Sequence, residues 1–391
     1  MYKKALILFL VCIMVFSFAA CSNDTDAPAE TETEENAAAA EEEVEDVKDY
    51  KIGLVTPAIS VSEDEFRGGE RVVEKYPDIV KHLVLPENFT AEQETAIAQI
   101  TSLADDESVK AIVIATGYSG ILPAVQKVKE VRPDMIVITA PIWDDPDAMA
   151  NYIDLCLDTD WLRRGDTIAQ KAYDMGAKTY IHYSFPTHMS KELIANRHGK
   201  MKETAERLGM EFVELMTPDP HGGDSYSAMV QFLNEDIPRQ IDKYGEDTNI
   251  FGTNCSMQDV IIAKALELGY IMAEQCCPTP TQGFPAAMGL EIGPEEAGDF
   301  DVINEMIKQK AAEAGATGRL STWPIAVGYF LPEFAVEVAI RMVEGEVEVA
   351  DLSQELLEEI GEEVAGVSVY FNKMKPELDN YFLMIMDSIF Y

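Results

Sequence analysis

The stretch Asn249-Ile250-Phe251-Gly252-Thr253-Asn254-Cys255-Ser256-Met257 opens on a short apolar run and then turns polar. Behind it Val260, Ile261, Ala263, Ala265, Leu266 and Leu268 keep helical spacing as far as Gly269, after which Tyr270–Gln275 is apolar again. A short apolar run bounded by turn residues reads as a buried strand, and a three-and-four spacing as one face of a helix. Ser256–Asp259 resembles a capping box, and Gly269 stands where a helix should stop. The reading is strand, helix, strand: the repeating unit of a parallel sheet with helices on both faces.

Working outward, the same alternation fills the chain from Tyr50. The pattern predicts strands at 51–56, 82–85, 110–116, 135–140, 153–157, 179–183, 211–215 and 249–253. Several are continuous β-branched runs, as expected where a parallel sheet is covered on both sides. Ser62–Glu65 and Thr90–Gln93 fit capping boxes at the start of intervening helices. Two such series follow one another, so the expected fold class is α/β, with two doubly wound parallel-sheet lobes. The expected organisation is an N-terminal lobe over 49–158, completed by about 324–345, and a C-terminal lobe over 159–322. Residues 346–391 form an extension packing on the lobes, ending in an apolar stretch, 381–391, read as a buried strand or helix. Three chain crossings, near 158, 285 and 322, would form a hinge.

The first 48 residues are of a different kind. Lys3 and Lys4 precede the apolar run Ala5–Phe16, and Phe18-Ala19-Ala20 sets small residues ahead of Cys21. The run is short for a membrane span and reads as a signal peptide over 1–20. Residues 21–48 follow as an acidic disordered tether: Ser22–Val47 holds eleven Asp and Glu and no Lys or Arg. The formal net charge of the whole chain is −40, and residues 48–391 carry −31. Such a field disfavours nucleic acid and anionic membrane surfaces as partners.

The ending Ala-Ala-Cys resembles the bacterial lipobox, with Phe18 where the family prefers Leu. The resemblance implies lipidation at Cys21 and a location at the cell membrane, lipid-anchored on its extracytoplasmic face. Behind it, the two-lobed pattern over residues 50–345 resembles the type I periplasmic binding proteins, the solute-binding components of ABC importers. Lys51-Ile52-Gly53-Leu54-Val55-Thr56 is similar to their opening strand, and Asp158-Thr159-Asp160 through Gly165 and Ala169 to their crossover into the second lobe. Ile250 to Met257 is similar to their strand followed by Asn-Asp, a small residue and Met. Here Cys255 replaces the Asp, which removes one polar ligand contact. Asn196-Arg197-His198-Gly199 loosely resembles the Arg-x-x-Gly of sugar binders, with spacing off by one. Thr116-Gly117-Tyr118-Ser119-Gly120 and the 221–226 loop narrow the resemblance to a group of clostridial lipoproteins on this fold. It yields a class and not a solute.

In open parallel sheets ligands sit beyond the carboxyl ends of the strands. The loops there nominate Thr56, Ser60, Phe66, Thr116, Tyr118, Ser119, Trp143 and Asp144 from the first lobe. Tyr183, Phe185, His188, Arg197, Asn254 and Gln275 come from the second, and Trp323 from the return crossing. Asp145 and Glu274 join Asp144 as acids that would face a cationic ligand. Aromatic faces beside neutral hydrogen-bonding groups suit a sugar, nucleoside or aromatic amine. Thr279–Pro285 reads as a rigid loop at the cleft mouth. No catalytic residue, cofactor or metal site is expected. No Gly-x-Ser-x-Gly elbow is present, and Cys255, Cys276 and Cys277 show no Cys-x-x-Cys spacing. A strained Cys276–Cys277 disulfide, or a soft metal held with Cys255, is the minor alternative to buried apolar thiols. The expected partners are a small solute, the permease of an ABC importer and the membrane through a lipid. A ligand sensor for a membrane receptor and, further off, an exported α/β enzyme are the competing functions.

Overall fold

A computed structural model describes residues 48–391, apart from Thr90, Gly117, Ile142, Trp143, His221–Asp224, Pro294 and Glu295. The signal, the tether and Cys21 lie outside the described residues, as does the expected site residue Trp143. No helix among the described residues is long and apolar enough to cross a membrane.

The first sheet is begun by β1 (Lys51–Thr56), β2 (Val80–Val84), β3 (Val109–Ile114), β4 (Ile136–Thr139) and β5 (Leu155–Thr159). Between them run α1 (Glu63–Lys75), α2 (Gln93–Ser102), α3 (Leu122–Val131) and the short α4 (Pro146–Met149). The chain then crosses to a second sheet through α5 (Arg163–Asp174). There it forms β6 (Thr179–Ser184), α6 (Pro186–Met189), α7 (Glu192–Arg207), β7 (Glu211–Met216), α8 (Ser225–Tyr244) and β8 (Thr248–Gly252). The helices α9 (Gln258–Leu268), α10 (Phe284–Met288) and α11 (Phe300–Glu313) lead to β9 (Ser321–Thr322). The chain returns through α12 (Val327–Val343), α13 (Gln354–Ala365), β10 (Val369–Lys373) and β11 (Tyr381–Met386), and closes on β12 (Ile389–Phe390).

The first sheet runs β10-β11-β5-β4-β3-β1-β2, parallel except for β10. Its two faces separate by strand alternation. Ile52, Leu54, Ala111 and Val113 pack under α1, α12 and α13, whereas Val55, Ile112 and Ile114 pack under α2 and α3. The second sheet, β7-β6-β8, is parallel and widened by isolated bridges at Ile271 and Met272. Tyr180 and Phe251 face α5 and α7, while Ile181 and Ile250 face α8, α9 and α11. Both sheets are thus covered on two sides, as the apolar runs required. Glycine sets the closest helix approaches: a Cβ at Gly68 would lie 2.5 Å from the Gly328 carbonyl, and one at Gly165 2.6 Å from that of Arg197.

Two expectations change. Residues 270–275 form bridges instead of a full strand. The crossing expected near 285 does not exist, because Phe284 is buried among the helices of the second sheet and α10 packs on α9. The third passage lies at 386–389, between β11, which pairs with β5 of the first sheet, and β12, which pairs with β9 in a two-stranded ribbon joined to the second half by the bridge between Met272 and Leu320. Within 346–391, β10 and β11 are therefore strands of the first sheet, while α13 packs on its face.

Candidate functional site

The first turn of α1, carried by the first sheet, faces the 277–286 loop, carried by the second. Between them lies a cleft of about 920 Å³. Glu63, Asp64 and Glu65 occupy that first turn, where the positive end of the helix dipole favours carboxylates. Burial, then the charges of Glu65 and Glu63, push the Asp64 carboxyl up to about 6. Asp259, near the start of α9, joins them across the cleft and is also pushed up by burial. The opposite wall brings Cys277, Thr279, Thr281 and Gln282. A second hollow, of about 740 Å³, lies along Arg71, Phe300 and Gly366 and touches no strand end of either sheet.

Trp161 and Trp323 stand at the passages between the sheets and line the same cleft. The Arg164 guanidinium lies 5.1 Å from one indole and 5.3 Å from the other. It also donates to Glu274 and to the carbonyls of Gln275 and Cys276 at 2.7–3.0 Å. Cation–aromatic contact and charge-assisted hydrogen bonds together fix this corner.

Of the residues expected at the site, Trp323 lines the cleft directly. Thr56 is buried and its hydroxyl lies 2.7 Å from His82 Nε2, whose ring is 5.9 Å from that of Phe66. Tyr118 stacks on Phe89 at 5.0 Å. The hydroxyls of Thr116 and Tyr118 are buried with no hydrogen-bond partner among the described residues, an arrangement that calls for one. Ser60 and Ser119 are exposed. In the second half, Phe185 stacks on His188 at 4.8 Å, and His188 Nδ1 lies 3.2 Å from the Thr253 hydroxyl. Asn254 accepts from the backbone and the hydroxyl of Ser256 at 3.0 and 2.6 Å, so it opens the turn before α9. Arg197 is buried 5.6 Å from the Phe251 ring, with no hydrogen bond or ion pair to its guanidinium among the described residues.

Three expected contacts are corrected. Asp144 accepts from the backbone N–H groups of Gly120, Ile121 and Leu122 at 2.7–2.9 Å and so caps α3. Tyr183 is fully buried and donates to Asp236 at 2.8 Å inside the core. Gln275 is fully buried, its amide donating to the carbonyls of Thr279 and Gln282 and its oxygen accepting from Thr322. Asp145 and Glu274 are likewise committed, one capping α4 and the other paired with Arg164 and Lys171. The acids that face the cleft are those of α1 and Asp259. Sequence reading missed them, although Ser62–Glu65 had marked where α1 begins. That capping box is not formed: Ser62 donates to the Glu65 side chain and accepts no hydrogen bond from the helix backbone.

Cys255 and Cys277 are half-buried and Cys276 is buried, and none of the three is in a disulfide. Their sulfurs are 3.3 Å apart for 255–277, 3.6 Å for 276–277 and 3.7 Å for 255–276. The bonds from Cys276 and Cys277 favour the thiolate at Cys255 and push its ionisation down, while the other two are pushed up.

The chain belongs to the family described as protein of unknown function DUF3798, whose model matches residues 50–321. Two chains of Treponema pallidum (strain Nichols), described as uncharacterized proteins, are 29% identical over 183 residues and 27% over 219. These matches span 45% and 56% of this chain and 83% and 99% of theirs. A crystal structure from Clostridium difficile 630, of a chain named a candidate transcriptional regulator, is 38% identical with a TM-score of 0.85. The match covers 88% of this chain and 100% of that one. A sugar ABC transporter structure from Actinomyces odontolyticus ATCC 17982 is 14% identical, with a TM-score of 0.51 over 77% of this chain and 86% of that one. The shared fold is that of the type I periplasmic binding proteins, as the strand pattern implied.

Proposed function

We propose that this chain is a lipid-anchored extracytoplasmic protein that captures a small neutral or weakly cationic solute and presents it to the permease of an ABC importer. The observation that carries the reading is the cleft of about 920 Å³ between elements of two different sheets. That volume suits one small solute enclosed from both sides. Trp161 and Trp323 offer apolar faces, and Gln282 and Thr281 offer neutral hydrogen-bonding groups. Glu63, Asp64, Glu65 and Asp259 set the sign of the charge the cleft prefers: a sugar, nucleoside or aromatic amine fits, and a polyanion does not. The three passages at 159–163, 322–327 and 386–389 provide a hinge about which the walls close. Closure would change the outward surface, which is what a permease can read.

The test begins with protein carrying Cys21→Ser, which stays unacylated. Native mass spectrometry should find one small molecule travelling with it. A screen of sugars, nucleosides and amines should raise the melting temperature for that class. Asp64→Asn should weaken an amine about tenfold at pH 7 and leave a neutral sugar unaffected, since a carboxylate facing a cation contributes on the order of 1 kcal/mol. Absence of any co-purified or stabilising solute, together with turnover of a glycoside or nucleoside, would replace this reading with an enzymatic one.

A further inference from the structure

The structure assigns a second site to this chain: we infer that Cys255, Cys276 and Cys277 bind one thiophilic d¹⁰ metal ion in the wall of the cleft. Three sulfurs from two separate segments converge to within 4.8 Å of one another. Buried cysteines that merely fill space have no reason to meet in threes, and two of these are half-exposed, with Cys277 lining the cleft. The separations of 3.3–3.7 Å are too long for a disulfide, whose sulfurs lie about 2.05 Å apart. They approach the roughly 3.8 Å that separates two thiolates bound tetrahedrally at about 2.3 Å to one ion.

The surroundings are built to match. Cys255 begins the turn that opens α9, so backbone N–H groups and the helix dipole favour its thiolate. The loop carrying Cys276 and Cys277 is held from behind by Arg164, which donates to the Cys276 carbonyl at 2.8 Å, and by Gln275, which bridges Thr279 and Gln282. Arg197 supplies the charge argument. A buried guanidinium with no carboxylate partner among the described residues is costly unless an anion stands nearby. This guanidinium lies over Phe251, which shares one packed cluster with Cys276 and is flanked by Cys255 and Cys277. Three thiolates around one monovalent or divalent ion carry net negative charge, which Arg197 offsets. Thiolate ligands without imidazole or carboxylate select soft ions such as Cu(I) and Zn(II). With three protein ligands, one coordination position remains open. Each S–H replaced by an S–metal bond releases one proton to solvent, and no electron is transferred.

This site does not depend on the solute reading, since a metal can bind whether or not a solute is transported. The test uses the full chain, reduced and kept under anaerobic conditions, titrated separately with Cu(I) and Zn(II) against a chromophoric chelator. One ion per chain should bind. Alkylation mapped by peptide mass should show Cys255, Cys276 and Cys277 protected by metal and alkylated once a chelator removes it. The double variant Cys255→Ser/Cys277→Ser should lose affinity by more than the roughly hundredfold that an outer-shell change costs. Cys156→Ser, in the other sheet, should bind as the parent does. The inference is overturned if metal leaves the three cysteines unprotected in the unaltered chain, a measurement that needs no variant to fold. It is equally overturned if the isolated protein carries a Cys255–Cys277 disulfide that resists mild reductant.

Discussion

Arg164 and Glu274 form an ion pair at 2.7 Å with both side chains almost wholly out of water, 0% and 1% exposed. Breaking such a pair from one side leaves a buried charge uncompensated, at a cost of about 3–5 kcal/mol. Glu274→Gln strands Arg164, Lys171 and the stack on both indoles. Urea denaturation should show a loss of that order; a loss under about 1 kcal/mol would sink the claim that this pair holds the corner. The pair also sets an acid limit. Burial alone would raise the Glu274 carboxyl, but Lys171 and Arg164 outweigh it and hold the group below its ordinary 4.5. Its contribution is therefore present above that value and lost as pH falls through the lower folded value.

Asp144 makes a prediction of the opposite kind. Its carboxylate satisfies three N–H groups at the start of α3, so Asp144→Ala should cost about 1–2 kcal/mol of stability. The rise in melting temperature produced by a bound solute should survive. Loss of solute binding with stability intact would return Asp144 to the ligand site.

Asp158, at the passage out of the first sheet, is pushed up to about 7 by burial, against hydrogen bonds from Thr159 and Trp161 that pull it down. A carboxyl raised in the folded state contributes stability that is full below the unfolded value of 3.8 and lost as pH rises through about 7. Stability measured from pH 4 to pH 8 should therefore decline by on the order of 1–3 kcal/mol from this group, and Asp158→Asn should flatten that slope. An unchanged slope in the variant would assign the decline to other groups.

The architecture was legible because a parallel strand covered on both faces must be an apolar run, and 51–56, 179–183 and 249–253 are such runs. The last strand was not: 381–391 is as apolar as a helix would be, and only its place between β5 and β10 decides its type. The site was less legible for a related reason. Asp144 meets its three N–H partners 22 to 24 residues away, and nothing in its neighbours marks it as a cap. Glu274 and Gln275 follow the bridges at 271–272 instead of ending a strand, and their partners come from α5, the 279–282 loop and β9. Cys255 and Cys276 are 21 residues apart, a spacing with no motif, brought together only because β8 and the bridge at Ile271 lie side by side. The loop 279–285 was legible, since Pro280 and Pro285 restrict the backbone and Gly283 takes the positive φ of 81° that the turn needs.

Residues 381–391 serve both halves at once. β11 is an inner strand of the first sheet, β12 pairs with β9, and the Tyr391 hydroxyl reaches Asn304 at 2.7 Å. Without them the β5 edge of the first sheet and β9 would both lie open, whereas β7-β6-β8 pairs among its own strands. A single segment thus ties strands that begin more than 160 residues apart, β5 and β9, and a cut just before it would free both edges together.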